Sequence, residues 1–258
     1  MNSMMKPLPA ALVALVFSAA TFAPVAHADE GLSAAAGVAS AYYWRGLQVS
    51  NGAQVWGELT YTLPAGFYGD LWASSEGFGT GPEYDLTAGW SGKFGDFGVN
   101  VGAVTYVYSS DRSNNVAQQG HSDPYFKDSD PGDFSDVFVK LSYAGAFLNF
   151  YHNVALFQGQ DWVNLGYTYG KWTASVGYQQ FKDKAQITAS GASNHAGEVP
   201  DKVHYTYIDL TYAVTDHLSM TVSSVVNHSD DIASYTLPAG IDSTRAKVIV
   251  SYSLPISF

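Results

Sequence analysis

The chain has 258 residues, with 23 acidic against 12 basic side chains and no cysteine. Its acidic balance argues against a phosphate-binding surface for nucleic acid. Without thiols there is no disulfide framework, thiolate metal site or cysteine nucleophile, so hydrogen bonding and packing must hold the fold.

Residues 1–28 read as a secretory leader: Lys6 sits in a short basic region, residues 10–23 are almost wholly apolar, and Ala26-His27-Ala28 is a small-x-small cleavage site before Asp29. The alternative, a membrane-anchor helix, needs about 20 apolar residues, and Ser18, Thr21 and Pro24 break this run. The mature chain, residues 29–258, shows no linker-like shift in composition and reads as one domain.

From there to the end, apolar and polar residues alternate in blocks of about ten, bounded by Gly, Asp, Asn, Ser or Pro, which is the β-strand pattern. Twelve blocks are expected: 32–43, 53–63, 67–76, 83–92, 97–108, 134–144, 146–156, 161–170, 171–181, 203–213, 217–227 and 244–254. Each has one apolar face and one polar or small face. In 134–144, Asp136, Phe138, Lys140 and Ser142 oppose Val137, Val139, Leu141 and Tyr143. In 83–92, Asp85, Thr87, Gly89 and Ser91 oppose Tyr84, Leu86, Ala88 and Trp90.

A soluble β-sandwich would alternate in the same way with its apolar face inward. Strand length favours a transmembrane up-and-down antiparallel β-barrel: about 9–11 residues cross a bilayer at a tilt, whereas soluble strands average about 5–6. The polar faces carry Gly, Ser, Thr, Asn and Gln rather than the Lys and Glu of a solvated sheet. Aromatic side chains cluster near strand ends, at Tyr42, Tyr43 and Trp44, Phe67 and Tyr68, Trp90, Phe94 and Phe97, Trp162, Trp172 and Phe258. Such clusters are expected to form interfacial belts, and the 18 tyrosines suit them because each has an apolar ring and a polar tip.

The connections alternate in length. Short ones fall at 64–66, 93–96, 144–146, 170–171 and 214–216, and long ones at 44–52, 77–82, 109–133, 182–202 and 228–243, with 157–160 a short exception. Tight turns on the periplasmic side and longer loops outside give this rhythm, and closure removes sheet edges that lipid would leave unpaired. In the closing strand Val248, Val250, Tyr252, Leu254, Ile256 and Phe258 form the lipid face, and Pro255, which has no donor, is expected to interrupt pairing.

Several stretches resemble the TorF-type porin family of Gram-negative bacteria: "SAYYWRG" (40–46), "GFYGDLWASS" (66–75), "EYDLTAGW" (83–90), "GDFGVNVGAVTYVY" (95–108) and "YTYIDLTYAV" (205–214). The resemblance implies a barrel and passive transport, and it supplies no catalytic residue. A terminal Phe after alternating apolar residues also resembles the signal read by the barrel-assembly machinery, so that machinery and outer-membrane lipid are the expected partners.

Charges on the inward phase are the candidate pore-lining residues: Glu58, Asp70, Glu76, Asp85, Asp136 and Asp209, with Arg45, Lys140, Arg245 and Lys247 of opposite sign. A basic side chain facing mid-membrane lipid costs about 2–4 kcal/mol, and rings of charge set ion preference in pores. The plainer reading is that these groups pair with one another and fill the interior. For Arg45 that reading, pairing with a strand-end carboxylate, is preferred over projection into the pore mouth.

The segment 122–136 carries five aspartates, yet its D-x-D-x-G-D order lacks the placement of a helix-loop-helix calcium site and reads as a solvated loop. No histidine has H-E-x-x-H spacing and no G-x-S-x-G occurs. The "TLPAG" at 62–66 and again at 236–240 is ordinary turn chemistry. The expected function is an outer-membrane, porin-like channel, without cofactor, passing small polar solutes or ions with a weak cation preference. The alternatives are a barrel enzyme acting on lipid or peptide, with a Ser-His pair such as His152 and a neighbouring serine, and a barrel plugged by its own side chains.

Overall fold

The computed structural model describes residues 30–50, 52–76, 82–108, 131–132, 134–155, 160–181, 203–229 and 245–256. The expected leader, Phe258 and most of the two longest connections lie outside these residues.

Among the described residues fourteen strands follow in chain order: β1 (Gly31–Ala39), β2 (Tyr43–Trp44), β3 (Leu47–Gln48), β4 (Gln54–Thr62), β5 (Phe67–Ser74), β6 (Glu83–Phe94), β7 (Phe97–Tyr108), β8 (Ser135–Tyr143), β9 (Ala146–Ala155), β10 (Asp161–Tyr169), β11 (Trp172–Phe181), β12 (Val203–Ala213), β13 (Leu218–His228) and β14 (Lys247–Ile256). Twelve of them, all but β2 and β3, form a closed barrel in which every pairing is antiparallel. Each of the twelve expected blocks coincides with one barrel strand. The exception in extent is the first, which leaves the wall after Ala39 rather than running to residue 43.

Side-chain alternation decides between sandwich and membrane barrel. On β10, Leu165 is 53% exposed on the outside while Trp162 is fully buried within. On β14, Val248, Val250, Tyr252, Leu254 and Ile256 are exposed and Lys247, Ile249 and Ser251 are buried. Every barrel strand exposes at least one large apolar side chain, the reverse of a soluble sheet. We expect Leu165→Arg, near the middle of β10 and facing out, to lower stability in lipid vesicles by about 2–4 kcal/mol on urea titration. A lysine at inward-facing Thr168, exposed at the rim, should change it by about 0.5 kcal/mol or less.

At the short-turn end the outer surface carries Tyr61, Phe67, Phe94, Phe97, Tyr143, Tyr167, Tyr169 and Trp172, all exposed. This is one interfacial belt. Tyr42, Tyr43, Trp44 and Trp162, read from the sequence as belt residues, are instead buried inside, and Tyr68 also points inward, where its hydroxyl donates to Asn100 Oδ1 at 2.9 Å.

The barrel closes where β1 meets β14, from Ala34↔Ile256 to Ala39↔Ser251. Pairing runs straight through Pro255, which sits opposite Ala35, contrary to the expected interruption. The reason is directional. Ser253 N donates to His217 O on the β13 side, so residue 255, of the same parity, would aim its N–H to that side too. The β13 ladder has already ended at Leu218↔Tyr252, so the missing donor removes no bond.

Candidate functional site

Beyond Ala39 the chain turns into the barrel. β2 and β3 pair as a hairpin, Tyr43↔Gln48 and Trp44↔Leu47, closed behind by Val49 N to Tyr42 O and Tyr42 N to Ser50 Oγ, both 2.8 Å. Its tip is Arg45-Gly46 with φ of 46° and 89°, the left-handed pair that a two-residue hairpin requires. A Cβ on Gly46 would lie 2.4 Å from the Tyr207 ring, so only glycine brings the tip this close to the β12 wall.

The hairpin is buried except at half-buried Gln48, and polar contacts tie it to the wall on several sides. Tyr42 OH donates to Glu83 Oε2 on β6 at 2.8 Å. Tyr43 OH donates to Asp209 Oδ1 on β12 at 2.5 Å and contacts Ser223 Oγ on β13 at 2.8 Å. Each phenol is thus the donor to a wall carboxylate.

Arg45, 3% exposed, is enclosed. Its Nη2 lies 2.9 Å from Asp136 Oδ2 on β8, and Nη1 donates to Gln179 Oε1 on β11 at 3.4 Å. The guanidinium stands over the rings of Trp44, Tyr151 and Trp162 at 4.5, 4.9 and 4.9 Å. Asp136 also accepts from Tyr106 OH at 3.0 Å and Asn153 Nδ2 at 2.8 Å, which compensates a carboxylate removed from water. Trp44 and Leu47 join one apolar cluster with Trp56, Trp72, Phe138 and Tyr207 of the wall. The long-loop half of the lumen is therefore filled.

Of the residues singled out in the sequence, Glu58, Asp70, Asp85, Asp136, Lys140, Asp209 and Lys247 all sit on inward phases of barrel strands. Asp136 and Asp209 hold the hairpin. Glu58, Asp70 and Lys140 lie nearer the short turns, where Asp70 accepts from Thr60 Oγ1 at 2.7 Å and Lys140 Nζ stands 5.0 Å from the Phe138 ring. Lys247 Nζ donates to Arg245 O at 3.1 Å, and Arg245 is an exposed residue ahead of β14. Glu76 falls two residues beyond the end of β5, in the long-loop connection, where its N–H meets Ser74 Oγ at 3.1 Å. Glu83 was not anticipated, although it takes hydroxyls from both Tyr42 and Tyr108. Its position one alternation before Asp85 was the available signal.

His152 faces outward, with Nδ1 at 2.6 Å from Asp161 Oδ1, and no serine hydroxyl bonds to it among the described residues. No cluster of three or more potential metal ligands occurs among them, and most of the acidic segment 122–136 lies outside them. No described helix is long and apolar enough to cross a membrane. The crossing elements are strands.

A closed antiparallel sheet with its apolar side chains outward and a charged, aromatic interior is a transmembrane β-barrel. The chain belongs to Gcw_chp, a family of bacterial proteins of unknown function, whose profile matches residues 25–241. Among solved structures, the chain is similar in fold to the NanC porin, at 11% identity over 88% of this chain and 99% of that one, with a TM-score of 0.41. Pseudomonas aeruginosa OprD gives 14% identity, 89% and 68% coverage and a TM-score of 0.39. The Salmonella typhi outer membrane phospholipase OMPLA gives 11%, 86%, 89% and 0.40. Likeness at this level carries no argument about activity. No curated protein matches the sequence.

Proposed function

We propose that the protein is an outer-membrane channel of porin type, passing small polar solutes or ions by diffusion, and that the β2–β3 hairpin closes its extracellular half. The carrying observation is the division of the lumen: charged Glu58, Asp70 and Lys140 on the wall near the short turns, and an inserted hairpin held by discrete polar contacts above them. Buried polar atoms on the wall, among them Asn149 Nδ2, Asn164 Oδ1 and Gln179 Nε2, have no hydrogen-bond partner among the described residues, and such groups are ordinarily satisfied by water.

The orientation puts short turns and both strand termini in the periplasm. Export by the leader and insertion by the assembly machinery through the final strand to Phe258 complete this reading, which the resemblance to TorF-type porins also favours. Passive diffusion calls for no catalytic step, and the alternative of a barrel enzyme with a Ser-His pair at His152 would be told apart by loss of a hydrolytic activity in His152→Ala with the fold retained.

The test is single-channel current from the refolded mature chain under a KCl gradient. Discrete steps with a cation-directed reversal potential are expected, and Lys140→Glu should move that potential further toward the cation limit because it reverses an inward-facing charge. A folded protein that stays silent even without its hairpin is a structural barrel, and the channel reading fails.

A further inference from the structure

At the short-turn rim, β6 runs four residues beyond its last pairing with β5, from Trp90 opposite Phe67 to its end at Phe94. The turn Pro64–Gly66 lies against this extension, and between them is a cleft of about 320 Å³ lined by Glu30, Leu63, Trp90, Lys93 and Phe94 among others.

The cleft is built rather than incidental. Trp90 Nε1 donates to Ala65 O at 2.7 Å, which fixes the indole. Gly66 has φ of 89°, and a Cβ there would lie 2.1 Å from Ser91 O, so the turn packs closer to the strand than any other residue permits. The Trp90 and Phe94 rings, 6.3 Å apart, give it an aromatic wall. Glu30 and Lys93 bring one charge of each sign into the same cleft, and neither makes an ion pair with a described residue. Two opposite charges that form no ion pair with each other, beside aromatic rings within the interfacial belt, match a ligand that is itself zwitterionic and amphipathic.

We propose that this cleft binds the headgroup of a phosphatidylethanolamine molecule of the surrounding leaflet. Lys93 takes the phosphodiester, and Glu30 takes the primary ammonium, whose N–H groups can donate charge-assisted hydrogen bonds to a carboxylate. Leu63, Trp90 and Phe94 cover the glycerol and the upper acyl chains, as aromatic side chains do at a membrane interface. A phosphatidylglycerol headgroup would satisfy Lys93 but offer Glu30 only hydroxyls. The inference rests on the reading that this rim lies at a bilayer surface, and it does not depend on conduction.

The mature chain, folded in detergent, should be titrated with phosphatidylethanolamine and with phosphatidylglycerol of identical acyl chains and its bound lipid read by native mass spectrometry. Wild type is expected to retain the ethanolamine lipid severalfold better. Glu30→Gln should abolish that preference without weakening retention of the glycerol lipid, and Lys93→Gln should weaken both. Both residues are exposed at the rim, so the barrel should form in each variant, as its β-type circular dichroism will verify. Equal retention of the two lipids by wild type, or an unchanged preference in Glu30→Gln, overturns the proposal. A preference for ethanolamine in a protein that never conducts leaves this site standing while the channel reading falls.

Discussion

Replacing residues 42–50 with a short Gly-Ser linker should convert a barrel with small or rare current steps into one with steps severalfold larger. Ala39 pairs with Gln54 across β1 and β4, so the wall already brings together the two points that the linker must join, and no barrel pairing is lost. What leaves is the aromatic and guanidinium mass that fills the long-loop half of the lumen, and the conducting cross-section there is set by what remains on the wall. Glu83, Asp136 and Asp209 lose their hairpin partners, but in an opened lumen they meet water instead of protein, which removes most of the penalty for leaving them unpaired. The variant should fold, with a lower unfolding midpoint because the buried faces of Trp44 and Leu47 no longer contribute. Planar-bilayer recording checks it. A folded variant without larger steps would show that the wall aromatics, Trp56, Trp72, Tyr151 and Trp162, seal the barrel by themselves.

Substituting Arg45 within an intact hairpin should have the second largest effect, here on stability. In Arg45→Met the Asp136 carboxylate stays buried with only the Tyr106 and Asn153 donors, and breaking a buried ion pair from one side costs about 3–5 kcal/mol. Asp136→Asn should cost a similar amount by stranding the guanidinium. The double substitution should recover part of the loss, since neither charge is then left alone. That non-additivity, read from urea titrations in lipid vesicles, separates a true ion pair from two independent packing defects. Arg45→Lys should fall between wild type and Arg45→Met, because an ammonium keeps the charge but not the flat fork that meets Asp136 and Gln179 while lying against three rings. If the two single losses simply add, the pair carries no coupling and the hairpin is held by its rings and by the hydroxyls of Tyr42 and Tyr43.

The wall was legible because its physics is local. A strand that separates lipid from a wet interior must alternate, and each block shows this within about ten residues, so Lys140 could be phased with Asp136 and Lys247 with Ser251 before any contact was known. The expected interruption at Pro255 failed because the direction of its missing donor depends on where β13 stops, which is a property of register between distant segments. The hairpin was hidden for a related reason. "YYWRG" has the composition of an interfacial belt, and a ring at a strand end looks the same whether the chain continues outward or folds inward. The non-glycine residue with positive φ at Arg45, followed by glycine, is a turn signal in retrospect. The hairpin's partners, Glu83 for Tyr42, Asp136 for Arg45 and Asp209 for Tyr43, lie 38, 91 and 164 residues away from Arg45 along the chain. Only the closure of the barrel brings them together.

The seam between β1 and β14 is held by the same antiparallel pairing as every other junction of the wall. Ala34 faces Ile256 and both strand termini reach the same rim, so the sheet is a ring that happens to be cut there. Every barrel strand has two neighbours, and no strand is first in the energetic sense. The same twelve pairings would survive if the cut were moved to any of the tight turns and the present ends were joined. What the natural cut fixes is sequence in time: the hairpin follows β1 directly and must be inside, or enter through the mouth, when the last-made strand completes the circle.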